Sequence, residues 1–155
     1  MVSLGGSDTY GATTKVVALL RKRGLSATVI IGPGFQHRSA LEAELTSEFE
    51  LKTAVPSLVE EMSYHDLGIV GGGITAFEAA ASGLPTILIA NEEFEVPVAR
   101  HLAGLGAARY GGHHSDLDET AFAFPDDVTE MSEAGLNQIR LDGVEKVCQL
   151  LQELS

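Results

Sequence analysis

The sequence predicts an α/β fold, an open parallel sheet of about six strands with helices on both faces. Short apolar runs alternate about six times with segments whose apolar residues recur at helical spacing. The runs are nearly continuous, which is typical of strands that are covered on both sides. Two glycine clusters stand where a strand ends and a helix begins. Together these observations indicate a Rossmann-like arrangement.

The first half of the chain is predicted to contain three strands, each followed by a helix. Val16, Leu19 and Leu20 recur at helical spacing before Gly24, a residue type that commonly ends helices. Another helix is predicted to begin at Pro56, because proline is favoured in the first turn. The predicted strands are residues 2–4, 27–31 and 49–53, and the predicted helices are residues 12–23, 39–47 and 56–64.

The stretch DLGIVGGGITAFEAAASGLPTILIA, residues 66–90, has few charges and resembles a membrane span at first sight. Glu78 and Pro85 interrupt it, whereas a span needs about 20 sustained apolar residues. It is better explained as a strand, a glycine turn, a helix, a Gly-Leu-Pro turn and a second strand. After it, a helix is predicted at 96–105, a strand at 107–110 and a long helix at 136–154.

The long C-terminal helix is predicted to have one apolar face. The residues on this face are Ile139, Val144, Val147, Leu150 and Leu151. Cys148 lies within the same pattern, and we expect it to be buried. A lone cysteine cannot form a disulfide within the chain, which favours a reducing, cytoplasmic location. The first residues, MVSLGGSD, lack the basic segment and apolar run of a signal peptide.

Length and charge limit the possible functions. With 155 residues, 45% of them apolar, the chain is predicted to form a single domain. Ten Lys and Arg residues against 22 Asp and Glu residues give a formal net charge of −12. This charge repels nucleic acids and anionic membrane surfaces, so neither is a predicted partner. One small phosphorylated ligand remains possible, because a helix N-terminus binds a phosphate locally.

The glycine clusters Gly5-Gly6-Ser7 and Gly71-Gly72-Gly73 are the strongest candidates for a ligand site. Each follows a strand and precedes a helix, so backbone N–H groups and the positive helix end can face a diphosphate. Thr75 could add a hydroxyl donor. In open parallel sheets, ligands bind where the strand order reverses, and we expect the two clusters to face one crevice there. The alternative is that the glycines simply make tight turns.

Glu78 is the most informative single residue. It lies one turn into a helix of Phe, Ala and Ser residues between two apolar strands, where an unpaired carboxylate costs several kcal/mol. Ribose hydroxyls would supply two hydrogen-bond donors to it. The alternative is an ordinary first-turn glutamate that the helix dipole favours.

Other patterns support weaker hypotheses. Gly71 to Ala76 fits G-x-G-x-x-A, and Glu92 follows at a distance suited to a ribose-binding acid, so an NAD-type dinucleotide module is the second hypothesis. Glu92, Glu93 and Glu95 could form a paired-carboxylate site, although three acids on a loop are more often a solvated helix start, which is the preferred interpretation. His113 and His114, with the acids that follow them, are predicted to form a solvated loop and no metal site. Neither a metal nor a cofactor is predicted.

Four segments together resemble a known family. They are LGGSD, VIIGPG, DLGIVGGGITAFEAAASGLPTILIANEEFE and LAGLGAARY. These segments resemble the C-terminal nucleotide-sugar-binding domain of family 28 glycosyltransferases. Within that family the likeness is to the UDP-2,4-diacetamido-2,4,6-trideoxy-β-L-altropyranose hydrolase of pseudaminic acid synthesis and its spore coat polysaccharide relatives. The resemblance implies one half of a two-domain GT-B fold, with the N-terminal half absent from this chain.

The resemblance also implies the site. It places the diphosphate on the backbone around Gly6, Ser7, Gly72, Gly73, Ile74 and Thr75. Glu78 matches the ribose-binding glutamate of the family, and the backbone at Ala54 matches the segment that reads the uracil edge. Glu95 falls near the sugar, where this chain has Glu93-Phe94-Glu95 in place of the Glu-Asn-Gln of the hydrolases.

The implied reaction is hydrolysis or transfer at the anomeric carbon of a UDP-sugar, with the nucleoside diphosphate as leaving group. Oriented N–H dipoles of this domain would stabilise the charge on that leaving group. The general base of such hydrolases lies in the N-terminal domain, so the chain by itself is predicted to be inactive. A third hypothesis is a non-catalytic interaction domain that keeps the fold without the ligand.

Overall fold

The computed structural model describes residues 1–124 and 127–154, and in this part of the chain six parallel strands form one sheet. The strands are β1 Val2–Ser3, β2 Ala27–Ile31, β3 Phe49–Thr53, β4 Gly68–Gly71, β5 Thr86–Ala90 and β6 Arg109–His113. The helices are α1 Ala12–Lys22, α2 Arg38–Glu44, α3 Leu58–Met62, α4 Ile74–Ala81, α5 Glu95–Gly104, α6 Thr129–Gln138 and α7 Gly143–Glu153. A short 3-10 helix spans Glu119–Phe122.

The strand order is β3-β2-β1-β4-β5-β6, which confirms the predicted open Rossmann-like sheet. The chain builds the sheet outward from β1 to β3 and then returns to place β4 on the other side of β1. The register pairs Val2 with Val29 on one side and with Ile69 on the other. Although β1 is only two residues long, it therefore forms the centre of the sheet.

Two apolar cores lie on the two faces of the sheet. On one face Val16, Val17 and Leu20 of α1 pack against the strands. On the other face Ala79 of α4 and Leu102 of α5 do the same. All four residues of β4 and all five of β5 are buried, because helices cover both of their sides. Full burial of each large aliphatic side chain contributes roughly 1.5–3 kcal/mol.

The helix α4, which follows the triple glycine, is fixed against the body of the protein by α6. A Cβ atom added to Gly135 of α6 would lie 2.4 Å from the carbonyl oxygen of Ala80, so the two helices touch backbone to backbone. The hydroxyl of Ser132 donates a hydrogen bond to the carbonyl oxygen of Gly83, at 2.6 Å. These contacts hold the far end of α4 in place.

The C-terminal region differs from the prediction. The expected helix over residues 136–154 is two helices, α6 and α7, separated at Ile139–Asp142. The carbonyl of Asp142 accepts the N–H of Lys146, and α7 begins at Gly143, so the Asp-Gly pair restarts the helix. The prediction that Cys148 is buried is wrong: it is exposed, and α7 contains no buried residue. Helical periodicity identifies an apolar face but not what covers it.

An ion cluster connects the edge strand β3 to the short helix α3. Glu61 Oε1 accepts hydrogen bonds from Lys52 Nζ at 2.6 Å and from His65 Nε2 at 3.2 Å. The Glu61 side chain is 10% exposed and that of Lys52 is 33% exposed. The hydrogen bond from Lys52 lowers the pKa of the Glu61 carboxyl, and the same bond raises the pKa of Lys52. The cluster fixes the loop between β3 and α3, which contains Ala54.

We expect Glu61→Gln to lower the stability of the folded chain by about 1 kcal/mol at pH 7, because the nearly buried ion pair is lost while a partly exposed lysine remains. A carboxyl whose folded pKa is depressed contributes stability above its unfolded pKa, and this contribution disappears as the pH falls through the folded pKa. The difference in free energy of unfolding between wild type and variant should therefore become smaller as the pH is lowered from 7 to about 3. Urea unfolding at the two pH values measures it.

Glu60→Gln is the matched control for this experiment, because Glu60 is exposed on the same helix. Equal losses in the two variants, or a difference that does not change with pH, would contradict the role assigned to the Lys52–Glu61 pair.

Candidate functional site

The carboxyl ends of β1 and β4 lie side by side at the point where the strand order reverses. The two glycine clusters follow these two strands. A Cβ atom added to Gly71 would lie 3.4 Å from the backbone carbon of Leu4, which shows how close the two chains run. Asn91, which follows β5, donates a hydrogen bond from Nδ2 to the carbonyl oxygen of Leu4 at 2.8 Å. Three loops are thereby joined at one edge.

A cavity of about 170 Å³ opens at this edge, and its lining brings three of the predicted site residues together. These residues are Gly6, Ala54 and Thr75. Apolar walls come from Ile30 and Leu58. A larger hollow of about 490 Å³ lies at the opposite, amino edge of the sheet, and it contains none of the predicted residues. The parallel fold favours the smaller cavity, because strand carboxyl ends and helix N-termini meet there.

The N-terminus of α4 faces this edge with unpaired backbone groups. Within residues 1–124 and 127–154, the N–H groups of Gly73, Ile74 and Thr75 have no acceptor. Gly73 is the N-cap residue and has no side chain to satisfy them. Adjacent amides together with the positive end of the helix dipole form an anion site. A phosphate would supply the missing acceptors.

The N-terminus of α1 is different, because a side chain of the same chain already occupies it. Asp8 is 3% exposed, and its two carboxylate oxygens accept the N–H groups of Ala12 and Thr13, each at 2.8 Å. Asp8 adopts a left-handed backbone with φ of 41° to reach this position. The expectation that both glycine clusters lead to helices with free N–H groups is therefore wrong for α1. Its negative cap leaves the N-terminus of α4 as the candidate anion-binding end.

Gly6 and Ser7 are exposed in the loop before α1. The carbonyl oxygen of Gly6 accepts the N–H of Gly34 at 3.1 Å, which joins this loop to the loop after β2. A Cβ atom added to Gly32 would lie 2.4 Å from the same carbonyl oxygen, so a glycine is needed at position 32. The loop is thus fixed before any ligand is bound.

Glu78 lies one turn beyond Thr75 on the same side of α4. Its carboxylate has no hydrogen bond and no ion pair with any residue that the structure describes. The expectation that Glu78 is enclosed between apolar strands overstates its burial, since the residue is half-buried. Partial exposure lowers the cost of its charge and leaves the carboxylate accessible.

The loop after β3 has a strained backbone. Ala54 has φ of 51°, a left-handed conformation that costs an alanine about 1 kcal/mol. Its N–H donates to the carbonyl oxygen of Ile31 at 3.0 Å, which leaves its carbonyl as the group available to a ligand. The N–H of Val55, which also lines the cavity, has no acceptor in the described part of the chain.

Glu95 packs against the triple glycine. Its Oε2 atom accepts the N–H groups of Asn91 at 2.7 Å and Glu92 at 3.3 Å. A Cβ atom added to Gly72 would lie 3.1 Å from the Cβ atom of Glu95. The carboxylate therefore stabilises the turn after β5 and adds negative charge beside the N-terminus of α4.

The structure also brings together three side chains that the sequence did not connect. The hydroxyl of Tyr10 donates to Glu92 Oε2 at 3.3 Å, and the ring of Tyr10 stacks on that of His114 with centroids 4.2 Å apart. The prediction of a solvated loop is confirmed for the exposed acids Asp116, Asp118 and Glu119, but it is wrong for the two histidines, since His113 ends β6 and both are half-buried. Burial, followed by the neighbouring His113 and Lys15, lowers the pKa of His114.

The described residues contain no group of three or more His, Cys, Asp or Glu side chains placed to hold a metal ion. Across the same residues, no helix is long and apolar enough to cross a membrane.

Three curated proteins match the chain in sequence, and two of them have a described function. The chain is 30% identical over 168 aligned positions to the UDP-N-acetylglucosamine–N-acetylmuramyl-(pentapeptide) pyrophosphoryl-undecaprenol N-acetylglucosamine transferase of Methylococcus capsulatus, covering 97% of this chain and 47% of that protein. It is 25% identical over 114 residues to the spore coat polysaccharide biosynthesis protein SpsG of Bacillus subtilis, covering 70% of this chain and 34% of that protein. The chain spans less than half the length of either relative. No family model matches it.

Solved glycosyltransferases share the fold. The structure of MurG from Acinetobacter baumannii superposes with a TM-score of 0.78 at 18% identity, over 98% of this chain and 49% of that one. The rhamnosyltransferase SpnG, solved with thymidine diphosphate, superposes with a TM-score of 0.66 at 22% identity, over 88% of this chain and 39% of that one. The open six-stranded sheet is therefore that of GT-B glycosyltransferase structures. The specific hydrolase group stays a prediction.

We expect Asp8→Ala to destabilise the protein by about 2 kcal/mol, because the N–H groups of Ala12 and Thr13 lose a buried, charged acceptor. Alanine also tolerates the left-handed backbone of position 8 less well. Thermal unfolding compared with Asp116→Ala, a substitution of an exposed loop acid, measures the effect. A loss no larger than that of the control would show that the cap does not stabilise α1.

Proposed function

We propose that the chain binds the UDP part of a nucleotide sugar, as the C-terminal half of a two-domain hydrolase or glycosyltransferase. The observation that carries the proposal is the row of three unpaired N–H groups at Gly73, Ile74 and Thr75, beside a cavity at the switch point of the sheet. Similarity in sequence to an N-acetylglucosamine transferase supports it. The hydrolase and its place in surface polysaccharide or nonulosonic acid synthesis belong to the proposal.

The cavity of about 170 Å³ has room for a nucleobase but not for a whole nucleotide. The carbonyl of Ala54 and the N–H of Val55 offer one acceptor and one donor at its lining. This pair complements the N3–H donor and the neighbouring carbonyl acceptor of uracil. The apolar walls formed by Ile30 and Leu58 suit the faces of the ring.

The ribose and the diphosphate then lie outside the cavity, along the first turn of α4. Glu78 accepts hydrogen bonds from the two ribose hydroxyls, because its carboxylate has no other described partner. The phosphates lie on the N–H groups of Gly73, Ile74 and Thr75, while Gly72, whose N–H bonds to the carbonyl oxygen of Ile89, shapes the turn before them. Gly6 and Ser7 approach from the loop after β1, and Glu95 borders the sugar side.

The chemical role of this domain is to stabilise the leaving group. When the bond to the anomeric carbon breaks, negative charge develops on the diphosphate, and fixed N–H dipoles stabilise it without reorganising. The chain has a net charge of −12, so local dipoles rather than the overall field bind the anion. In this proposal the remaining catalytic groups belong to the N-terminal half of the two-domain fold, and we expect these 155 residues by themselves to be inactive.

We expect UDP to stabilise the chain against thermal unfolding, by about 2.7 kcal/mol at a ligand concentration one hundred times its Kd. NAD is the comparison ligand, because the pattern from Gly71 to Ala76 also fits a dinucleotide module. Glu92, the ribose-binding acid of that alternative, already accepts a hydrogen bond from Tyr10. If NAD stabilises the chain and UDP does not, the dinucleotide module is favoured. If no nucleotide changes the unfolding temperature, an interaction domain is favoured.

Glu78→Gln should weaken UDP binding roughly tenfold while leaving inorganic pyrophosphate binding unchanged, because the amide is a poorer acceptor for two hydroxyl groups than a carboxylate. Isothermal titration calorimetry with both ligands separates the ribose contact from the phosphate contacts. Glu133→Gln, an exposed substitution on α6, controls for the change in net charge. Equal loss of both ligands would show that Glu78 is structural.

A further inference from the structure

Tyr10, Glu92 and His114 come from three different loops and meet at the carboxyl edge of the sheet. Tyr10 belongs to the loop before α1, Glu92 follows β5 and His114 follows β6. The stacked rings of Tyr10 and His114 are nearly parallel, with an interplanar angle of 12°, and the Tyr10 hydroxyl reaches Glu92. The N–H of His114 donates to the carbonyl oxygen of Ala90 at 2.8 Å, which anchors the histidine to the end of β5.

This cluster lies on the other side of the glycine turns from the uracil cavity. The cavity is lined mainly by residues in or after β1, β2 and β3, whereas Glu92 follows β5 and His114 follows β6, and Tyr10 reaches them from the end of the loop after β1. Glu92 and the triple glycine are connected through Glu95, which accepts the N–H of Glu92 and packs on Gly72. A nucleotide whose base occupies the cavity and whose phosphates bind α4 therefore directs its next group toward Tyr10 and Glu92.

The cluster is a hydroxyl-binding surface with negative charge. Tyr10 is 45% exposed and offers a phenol, and Glu92 offers carboxylate oxygens, so both can bond to sugar hydroxyls. Negative charge comes from Glu92, Glu93 and Glu95 in one turn. The ammonium of Lys15 contacts the cluster through the carbonyl oxygen of His114, at 3.1 Å. These three carboxylates outnumber the single ammonium, that of Lys15, described here in contact with the cluster.

The role of His114 is to position Tyr10. Its Nδ1 atom is buried and has no hydrogen-bond partner among the described residues, so the ring acts here through its face. The ring of His113 packs against the ring of His114, with the two ring centroids 4.3 Å apart. A tyrosine held between a stacked ring and a carboxylate keeps one rotamer, which reduces the entropy lost on binding a ligand.

We propose that Tyr10 and Glu92, with His114 as a positioning residue, select the sugar of the nucleotide sugar, favouring a neutral or amino sugar over a uronic acid. The inference rests on the proposed UDP site and adds the chemical class of the sugar. A carboxylate at this position would lie beside Glu92 and close to Glu95, and the ammonium that contacts the cluster, that of Lys15, is already bonded to the carbonyl oxygen of His114. An ammonium or a hydroxyl group would find acceptors.

The test compares four ligands by titration calorimetry on the 155-residue chain: UDP, UDP-glucose, UDP-glucosamine and UDP-glucuronate. We expect UDP-glucose and UDP-glucosamine to bind about tenfold more tightly than UDP-glucuronate at low salt, a preference that salt reduces. Glu92→Gln should reduce this preference severalfold and leave the affinity for UDP unchanged. Glu48→Gln, which removes an exposed charge near the amino end of β3, should leave the preference intact.

Two further substitutions test the stacked pair. Tyr10→Phe should remove the gain in affinity that the sugar adds to UDP, whereas Tyr64→Phe, an exposed tyrosine that lines the hollow at the amino edge, should not. His114→Ala should have the same effect as Tyr10→Phe, and His114→Phe should restore selectivity because it keeps an aromatic face on Tyr10. Such a rescue separates positioning from a hydrogen-bonding role.

The outcomes distinguish the two proposals. If UDP binds but the three sugars bind alike, or if the Glu92 and Tyr10 variants keep the wild-type preference, the sugar-selecting role is refuted and the UDP site is retained. If wild-type chain binds none of the four ligands, the proposed function fails and the sugar-selecting role fails with it.

Discussion

The parallel pairing of β1 with β4 is the constraint on which the rest of the structure depends. The chain first builds outward to β3 and then returns across the sheet, so residues almost seventy positions apart become neighbours, as Val2 and Ile69 show. Because parallel strands end at the same edge, this one pairing places both glycine turns over the same crevice. Every contact assigned to the candidate site, from Ala54 to His114, is organised around that edge.

Two similar sequence patterns acquire different roles at this edge. Each glycine turn leads into a helix, yet α1 begins with a buried aspartate that occupies its N–H groups, while α4 begins with a glycine and keeps three of them free. The N-terminus of α1 is therefore fixed, and its positive helix end is already neutralised. The N-terminus of α4 can accept an anion. A carboxylate that bonds the first-turn amides of α1, and the lack of such a bond at the described N-terminus of α4, decide which amides are available to a ligand.

The electrostatics of the edge follow from local geometry more than from net charge. The chain is strongly acidic, and Glu78, Glu92 and Glu95 all lie near the helix that is expected to bind phosphate. Fixed N–H dipoles act within a few ångströms, where the solvent screens them least, and in the proposed site the carboxylates around them receive hydroxyl groups. An acidic protein can in this way bind an anionic ligand that also carries hydroxyl donors, while repelling simple polyanions.

The sequence by itself determined the alternation of strands and helices, the position of the triple glycine and the isolation of Glu78 on its helix, because these depend on residues close together in the chain. The cap formed by Asp8, the stacking of Tyr10 on His114 and the exposure of Cys148 were decided only by the tertiary structure. Tyr10 and His114 are brought together by the order of the strands, which no local pattern encodes. For Cys148, the periodicity indicated an apolar face, but burial requires a second surface, and none of the described elements of this chain buries α7.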